Sequence, residues 1–279
     1  MNIRMFIADV DNTLMGINAK HMYSPMGKDL CESFEIMHEK GIRIVIASGR
    51  PLWQELMIHA RDAGLSFQFD MIVGMNGGEI YDDETESVKK YHPLSCEDLE
   101  KIVREMDHFD LAPFVYREGY ELFSKMDEEF MELAKRHHTR CEVCKDISEL
   151  WAEPTAKILY RTRSEELCGE IEAYGQKLIS ERITCFRAQR TMLEFQSPLV
   201  NKGFGMLKCC EKFGIDPEEV IAFGDADNDL PMLNKAGLSV AVANAMDSVK
   251  KACDDVTEYP ALDDGVGHYL KEKIIPLLG

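Results

Sequence analysis

Short apolar runs, each closed by polar residues, alternate along this chain with segments that repeat apolar residues every three or four positions. The run at 3–9 ends in Asp9-Val10-Asp11-Asn12-Thr13. A second at 42–47 ends at Ser48-Gly49-Arg50, and a third at 71–73 ends at Asn76-Gly77-Gly78. Runs this short between turn residues predict buried strands. Residues 29–40 place Leu30, Phe34 and Met37 on one helical face, with Gly41 as the stop. Residues 51–63 predict another helix, closed by Gly64. The rhythm returns late. A helix over 201–213 is closed by Gly214, and a strand over 220–223 runs into Gly224-Asp225. A helix over 230–235 has Pro231 in its first turn, and a strand follows at 238–242. Strand–helix alternation predicts an α/β fold: a Rossmann-like parallel sheet with helices on both faces.

The middle of the chain breaks this rhythm. Strands are predicted at 157–161 and 192–195 and helices at 98–107 and 164–178, without a comparable polar motif at the strand ends. We expect an α+β domain over 84–196, inserted into a core formed by 1–83 and 197–279. The linkers should lie near 82–87 and 195–200, where polar residues and Pro198 interrupt the pattern.

Charge narrows the functional classes. The chain has 32 basic and 50 acidic residues, a formal net charge of −18. That opposes nucleic-acid binding and an anionic membrane surface, which need a basic footprint. It leaves small anions open, because charge is screened beyond about 8–10 Å. No stretch approaches the ~18–20 apolar residues of a membrane span. The first apolar run is too short and too soon acidic for a signal peptide, so a cytoplasmic protein is expected. Nine cysteines, an odd number, fit reduced thiols. Cys141-Glu142-Val143-Cys144, just after His137 and His138, reads either as a zinc or redox motif or as ordinary cysteines. No second CxxC completes a structural zinc site.

The polar motifs fall just beyond the carboxyl ends of predicted strands, where α/β sheets bind ligands. Alternation puts Asp9 and Asp11 on one side of an extended chain, a costly pairing unless a cation or a shared proton intervenes. The second acidic group, Gly224-Asp225-Ala226-Asp227-Asn228-Asp229, superficially resembles a calcium loop. Counting from Asp225, however, the sixth and twelfth places hold Leu230 and Ala236, not glycine and glutamate. Magnesium, which takes one or two carboxylates plus waters and phosphate oxygens, fits better. Donors for phosphate are available in Ser48-Gly49-Arg50 and in Lys202-Gly203, whose glycine permits close backbone approach. Arg50 could reach a substrate or pair with an acid such as Glu79. Thr13 reads as a hydroxyl capping its own turn, and Asp227 as a solvated carboxylate.

Taken in order, Asp9-Val10-Asp11-Asn12-Thr13-Leu14, Ser48-Gly49-Arg50, Lys202-Gly203 and Gly224-Asp225-x-x-Asn228-Asp229 resemble the four motifs of the haloacid dehalogenase superfamily. Asn76-Gly77-Gly78, and Asn244-Ala245-Met246 followed by Val249-Lys250, resemble its Cof-like phosphatase branch, whose large α+β cap (type IIB) lies between the second and third motifs. That branch usually has glycine where this chain has Asn12, a residue that tolerates left-handed backbone.

The resemblance implies a Mg²⁺-dependent phosphatase of small phosphorylated metabolites, a sugar phosphate or a phosphorylated cofactor. It implies Asp9 as the nucleophile that becomes an aspartyl-phosphate, and Asp11 as general acid and then base. Asp9, the Asp11 carbonyl and Asp225 would hold Mg²⁺, with Asp229 a direct or supporting partner. Ser48, Gly49, Lys202 and Asn228 would bind the phosphoryl group. The alternatives are a phosphomutase or phosphotransferase of the same fold, and a non-catalytic phospho-ligand binder.

Overall fold

The computed structural model describes residues 2–18, 23–53, 56–128 and 140–278. The chain divides into two compact units, Met1–Lys89 with Asn201–Gly279, and Lys90–Val200. The first unit opens with strands β1 (Met5–Asp9), β2 (Arg43–Ala47), β3 (Met71–Gly74), β4 (Glu79–Asp82) and β5 (Ser87–Lys90). The second holds β6 (Phe114–Arg117), β7 (Tyr120–Phe123), β8 (Arg140–Val143), β9 (Lys157–Arg161), β10 (Thr184–Gln189) and β11 (Met192–Gln196). The first unit then resumes with β12 (Val220–Gly224), β13 (Leu238–Ala241) and β14 (Asp255–Val256).

Among the described residues the core sheet has the order β14-β13-β12-β1-β2-β3-β4-β5. From β14 to β3 every pairing is parallel; β4 then runs antiparallel to β3. Helices cover both faces, as register and packing establish together. Phe6 of β1 meets Phe34 of the Lys28–Glu39 helix edge-on at 5.0 Å. Asp9, Ala47 and Val73 share one row on the opposite face. Val73 lies so close to Gly205 of the Lys202–Phe213 helix that a Cβ there would come within 2.4 Å of its side chain. Phe6, Phe34 and Phe69 are fully buried, each contributing about 1.5–3 kcal/mol by burial.

The sequence reading differs from this structure in three places. The sheet is mixed, because β4 and β5 add an antiparallel hairpin at one edge. The chain passes between the units at 89/90 and 200/201, not at 83/84 and 196/197. Residues 84–89 complete that hairpin, and Gln196 donates to the Val200 carbonyl at 3.0 Å, which keeps 197–200 with the second unit. Residues expected to linker the units near 82–87 therefore form a turn inside the core sheet. Finally, of the helix predicted over 51–63 the described residues, 51–53 and 56–63, form a 3₁₀ turn, Leu56–Ile58, and one helical turn, His59–Asp62. The chain after β2 is tied to the end of β3 instead: the Arg50 carbonyl accepts from the Met75 amide at 2.8 Å, and Leu52 packs on Gly74.

The second unit has a sheet of order β10-β11-β9-β6-β7-β8, antiparallel except for β7 with β8. Helices Cys96–Met106 and Glu165–Gly175 begin at Ser95 and Ser164, whose hydroxyls accept from the Asp98 and Leu167 amides. This is α+β architecture. Cys141 packs with Phe114, Phe123 and Leu159, whereas Cys144 packs with the separate cluster that includes Leu99, Ile158 and Tyr160. The CxxC thiols thus serve two different apolar clusters, and burial pushes the Cys144 thiol up to about 11. His137 and His138 lie outside the described residues. No described helix is long and apolar enough to cross a membrane.

Candidate active site

Asp9 is the last residue of β1, and the chain turns immediately after it. The Val10 carbonyl accepts from the amides of Leu14 at 3.1 Å and Met15 at 2.9 Å. The turn requires a left-handed residue at position 12, and Asn12 supplies it with φ 61°. Because the strand ends here, alternation no longer holds Asp9 and Asp11 together. The Asp9 side chain is buried, 7% exposed, beside Lys202. The half-buried Asp11 side chain turns to Arg50, which grips both carboxylate oxygens, Nε to Oδ2 and Nη2 to Oδ1, each at 2.9 Å. Arg50 therefore pairs with Asp11, an assignment that sequence alone could not make. The Arg50 guanidinium also lies 4.5 Å above the ring of Tyr23, a residue the sequence reading passed over.

Lys202 opens the Lys202–Phe213 helix. Asn201 caps that helix, its side chain accepting from the Phe204 amide at 2.9 Å. A cation in the first helical turn opposes the helix dipole, and no acidic residue in that turn offsets it. The partners lie across the fold. Lys202, 1% exposed, donates to Asp9 and, at 2.6 Å, to Asp229 Oδ1. Asp229 Oδ2 accepts from the amides of Asp225 at 3.0 Å and Ala226 at 3.1 Å. Fully buried Asp229 thus anchors the lysine with one oxygen and shapes the loop after β12 with the other. At Gly203 a Cβ would lie 2.1 Å from the Pro231 carbonyl oxygen, so the glycine permits a close backbone approach there.

Carboxylate oxygens of Asp9, Asp225 and Asp229 all lie within 4.8 Å of one another, the set among the described residues that could hold a metal ion. The Asp11 side chain is outside this set. Three carboxylates share one ammonium, so the cluster is electrostatically short of positive charge. Burial, opposed by Lys202 and reinforced by Asp229, Asp225 and Asp11, holds the Asp9 carboxyl well above its ordinary range. Burial and Asp229 push Asp225 up to about 7. Burial alone would lower the Lys202 pKa, but Asp229 and Asp9 more than reverse it. A hard divalent cation is the missing charge this all-oxygen donor set suits.

The phosphate-binding candidates converge on the same strand ends. Ser48 is buried at the end of β2, its hydroxyl accepting from the Arg50 amide at 3.1 Å. Its carbonyl accepts from the Asn76 amide at 3.0 Å. Asn76, left-handed at φ 54°, accepts from Asn228 Nδ2 at 3.4 Å and so links the Ser48 and Asn228 loops. A Cβ on Gly49 would lie 3.2 Å from Asn76 Oδ1, a tight approach. Thr13 does not cap its own turn: its hydroxyl reaches Asp225 Oδ1 at 3.4 Å, joining the two acidic strand ends. Exposed Asp227 accepts from the Ser248 hydroxyl at 2.7 Å.

A model of the haloacid dehalogenase-like hydrolases matches residues 6–270. The chain belongs to this family. The Cof-like resemblance carried by its motifs holds. Among relatives of this hydrolase is the 5-amino-6-(5-phospho-D-ribitylamino)uracil phosphatase YitU of Bacillus subtilis, 25% identical over 270 residues, 95% of each chain. A haloacid dehalogenase-like hydrolase from Bacteroides thetaiotaomicron superimposes with a TM-score of 0.83 at 26% identity, covering 96% of this chain and 98% of that one. TM0651 from Thermotoga maritima gives 0.82 at 27% identity, covering 98% and 97%.

Proposed function

We propose that this hydrolase is a Mg²⁺-dependent phosphatase of small phosphorylated metabolites, working through an aspartyl-phosphate on Asp9. The observation that carries the reading is the buried Lys202 ammonium set between Asp9 and Asp229, beside Asp225. A nucleophilic carboxylate that meets a phosphate dianion needs positive charge on both sides of the encounter. Lys202 supplies one part. Asp9, Asp225 and the Asp11 carbonyl, braced by Asp229, would hold the cation that supplies the rest. That cation, when bound, neutralises phosphoryl oxygens and Asp9 together.

In the first step an Asp9 oxygen bonds to phosphorus as the bond to the leaving oxygen breaks. Asp11, whose side chain faces away from the carboxylate cluster, gives the leaving oxygen its proton. In the second step Asp11 takes a proton from water as that water bonds to phosphorus and the Asp9–phosphorus bond breaks. Lys202, Ser48 and Asn228, with the Gly49 amide, hold the phosphoryl oxygens as charge spreads over them. A phosphorylated cofactor precursor or a sugar phosphate is the substrate class, supported by the substrate in the name of the Bacillus subtilis relative. The inserted unit, Lys90–Val200, is the part proposed to select the leaving group. A panel of such phosphates, scored by kcat/KM with and without EDTA, tests the reading; absence of EDTA-sensitive phosphate release across the panel contradicts it.

A further inference from the structure

Resting on the role given to Asp11, we propose that Tyr23 is a positioning residue for the reaction: it seats the Arg50 guanidinium and thereby fixes the direction of the Asp11 carboxylate. Arg50 grips Asp11 through one edge of its planar fork, two bonds of 2.9 Å, while the guanidinium carbon stands 4.5 Å over the Tyr23 ring, whose hydroxyl is itself hydrogen-bonded with Asp11 and Arg50. The fork fixes the carboxylate only as well as the fork itself is fixed. An arginine side chain has many rotamers, and the aromatic face restricts them by confining the guanidinium plane. Tyr23 has the anchorage to do this. It forms a β-bridge with Ile17, and its neighbour Ser24 is locked to Gly16 in both directions, amide to carbonyl at 2.8 Å and hydroxyl from amide at 3.0 Å. Gly16 in turn lies where a Cβ would meet the Leu262 backbone at 2.5 Å, so the segment is seated on the core unit. Arg50 and Asp11 retain 18% and 30% side-chain exposure. A proton donor must be placed to a fraction of an ångström.

A residue acting this way changes turnover without changing binding, and does so most where proton donation matters. In the full chain, Tyr23→Leu should lower kcat about tenfold on an alkyl phosphate, whose alkoxide leaves only when protonated, but less than about threefold on p-nitrophenyl phosphate. KM and the Mg²⁺ half-saturation should stay within about twofold. Tyr23→Phe, which keeps the ring face but loses the hydroxyl's bonds to Asp11 and Arg50, should fall between wild type and Tyr23→Leu. Placed on Arg50→Lys, Tyr23→Leu should cost no more than about another twofold, because both residues act on the one Asp11 carboxylate. The proposal is overturned by wild-type turnover in Tyr23→Leu, by equal losses on both substrates, by Phe rescuing no better than Leu, or by additive losses with Arg50→Lys. Asp11→Asn, run alongside, separates the two readings. If it hydrolyses the alkyl phosphate as wild type does, the role of Asp11 itself is wrong. If it is impaired while Tyr23→Leu is not, only the role of Tyr23 falls. Thermal melts confirm that each variant is folded.

Discussion

Lys202 and Asp229 are bonded at 2.6 Å with neither side chain more than 1% exposed to solvent. Asp229 is further held by two backbone amides of the loop after β12. The lysine that meets Asp9, the proposed nucleophile, is thus positioned by a carboxylate that also shapes the Asp225 loop. The consequence is that Lys202 is at once structural and functional. Lys202→Met should lower kcat at least about a hundredfold, the scale of losing one oriented charge at a phosphoryl transition state. It should also cost about 3–5 kcal/mol of stability, because two buried carboxylates lose the ammonium they share. Calorimetry checks the second effect. A fully stable Lys202→Met protein would show that the carboxylates are compensated some other way.

Metal removal is the second prediction. Activity should vanish with EDTA and return with Mg²⁺, while Ca²⁺, with its longer and looser coordination, should restore little. Titrations of phosphate release against each metal check this. Undiminished turnover in a metal-free preparation is the contrary result.

The raised carboxyls set a pH dependence for the metal-free protein. Asp225 titrates near 7 when folded, against an ordinary value of 3.8. Between those limits the folded chain binds more protons than the unfolded one, so this group makes stability fall as pH rises from about 4 to about 7. Asp9, raised by burial, acts in the same direction. Protons and Mg²⁺ compete for these oxygens. Mg²⁺ affinity should therefore weaken by up to about tenfold per pH unit below about pH 7, and Mg²⁺ should raise the Tm more at pH 8 than at pH 6. Calorimetric titration across that range checks it; a pH-independent affinity contradicts it.

Selectivity is the fourth prediction. Phosphate is common to every candidate substrate, and the residues proposed to bind it all belong to Met1–Lys89 with Asn201–Gly279. Exchanging Lys90–Val200 for that of a relative with a different preference should carry the preference with it. An active chimaera that keeps the original preference would falsify this division of labour.

Much of this was legible in the sequence because parallel strands buried on both faces read as unbroken apolar runs, and their ligand-binding ends as abrupt polar ones. Asp9, Ser48 and Asp225 stand at or just after the ends of β1, β2 and β12 for that reason. The hairpin of β4 and β5 was not legible, since Ser87–Lys90 is a mostly exposed edge strand without an apolar signature. The grip of Arg50 on Asp11 was not legible either. Periodicity places residues on strands and helices, but a guanidinium chooses among carboxylates by tertiary geometry. Tyr23 lies in an aperiodic stretch and gave no signal; only its distance from Arg50 does. Asn12 was legible, because a turn that needs a left-handed residue accepts few others.

The claim on which the rest depends is covalent catalysis at Asp9. The most direct measurement is acid-quench mass spectrometry during turnover, comparing wild type with Asp9→Asn. Wild type should carry a single phosphoryl group that peptide mapping places on Asp9. Asp9→Asn should carry none, and its kcat should be at least about a thousandfold lower, about 4 kcal/mol at the barrier. A phosphoryl group on another residue, or near-normal turnover by Asp9→Asn, would contradict the account.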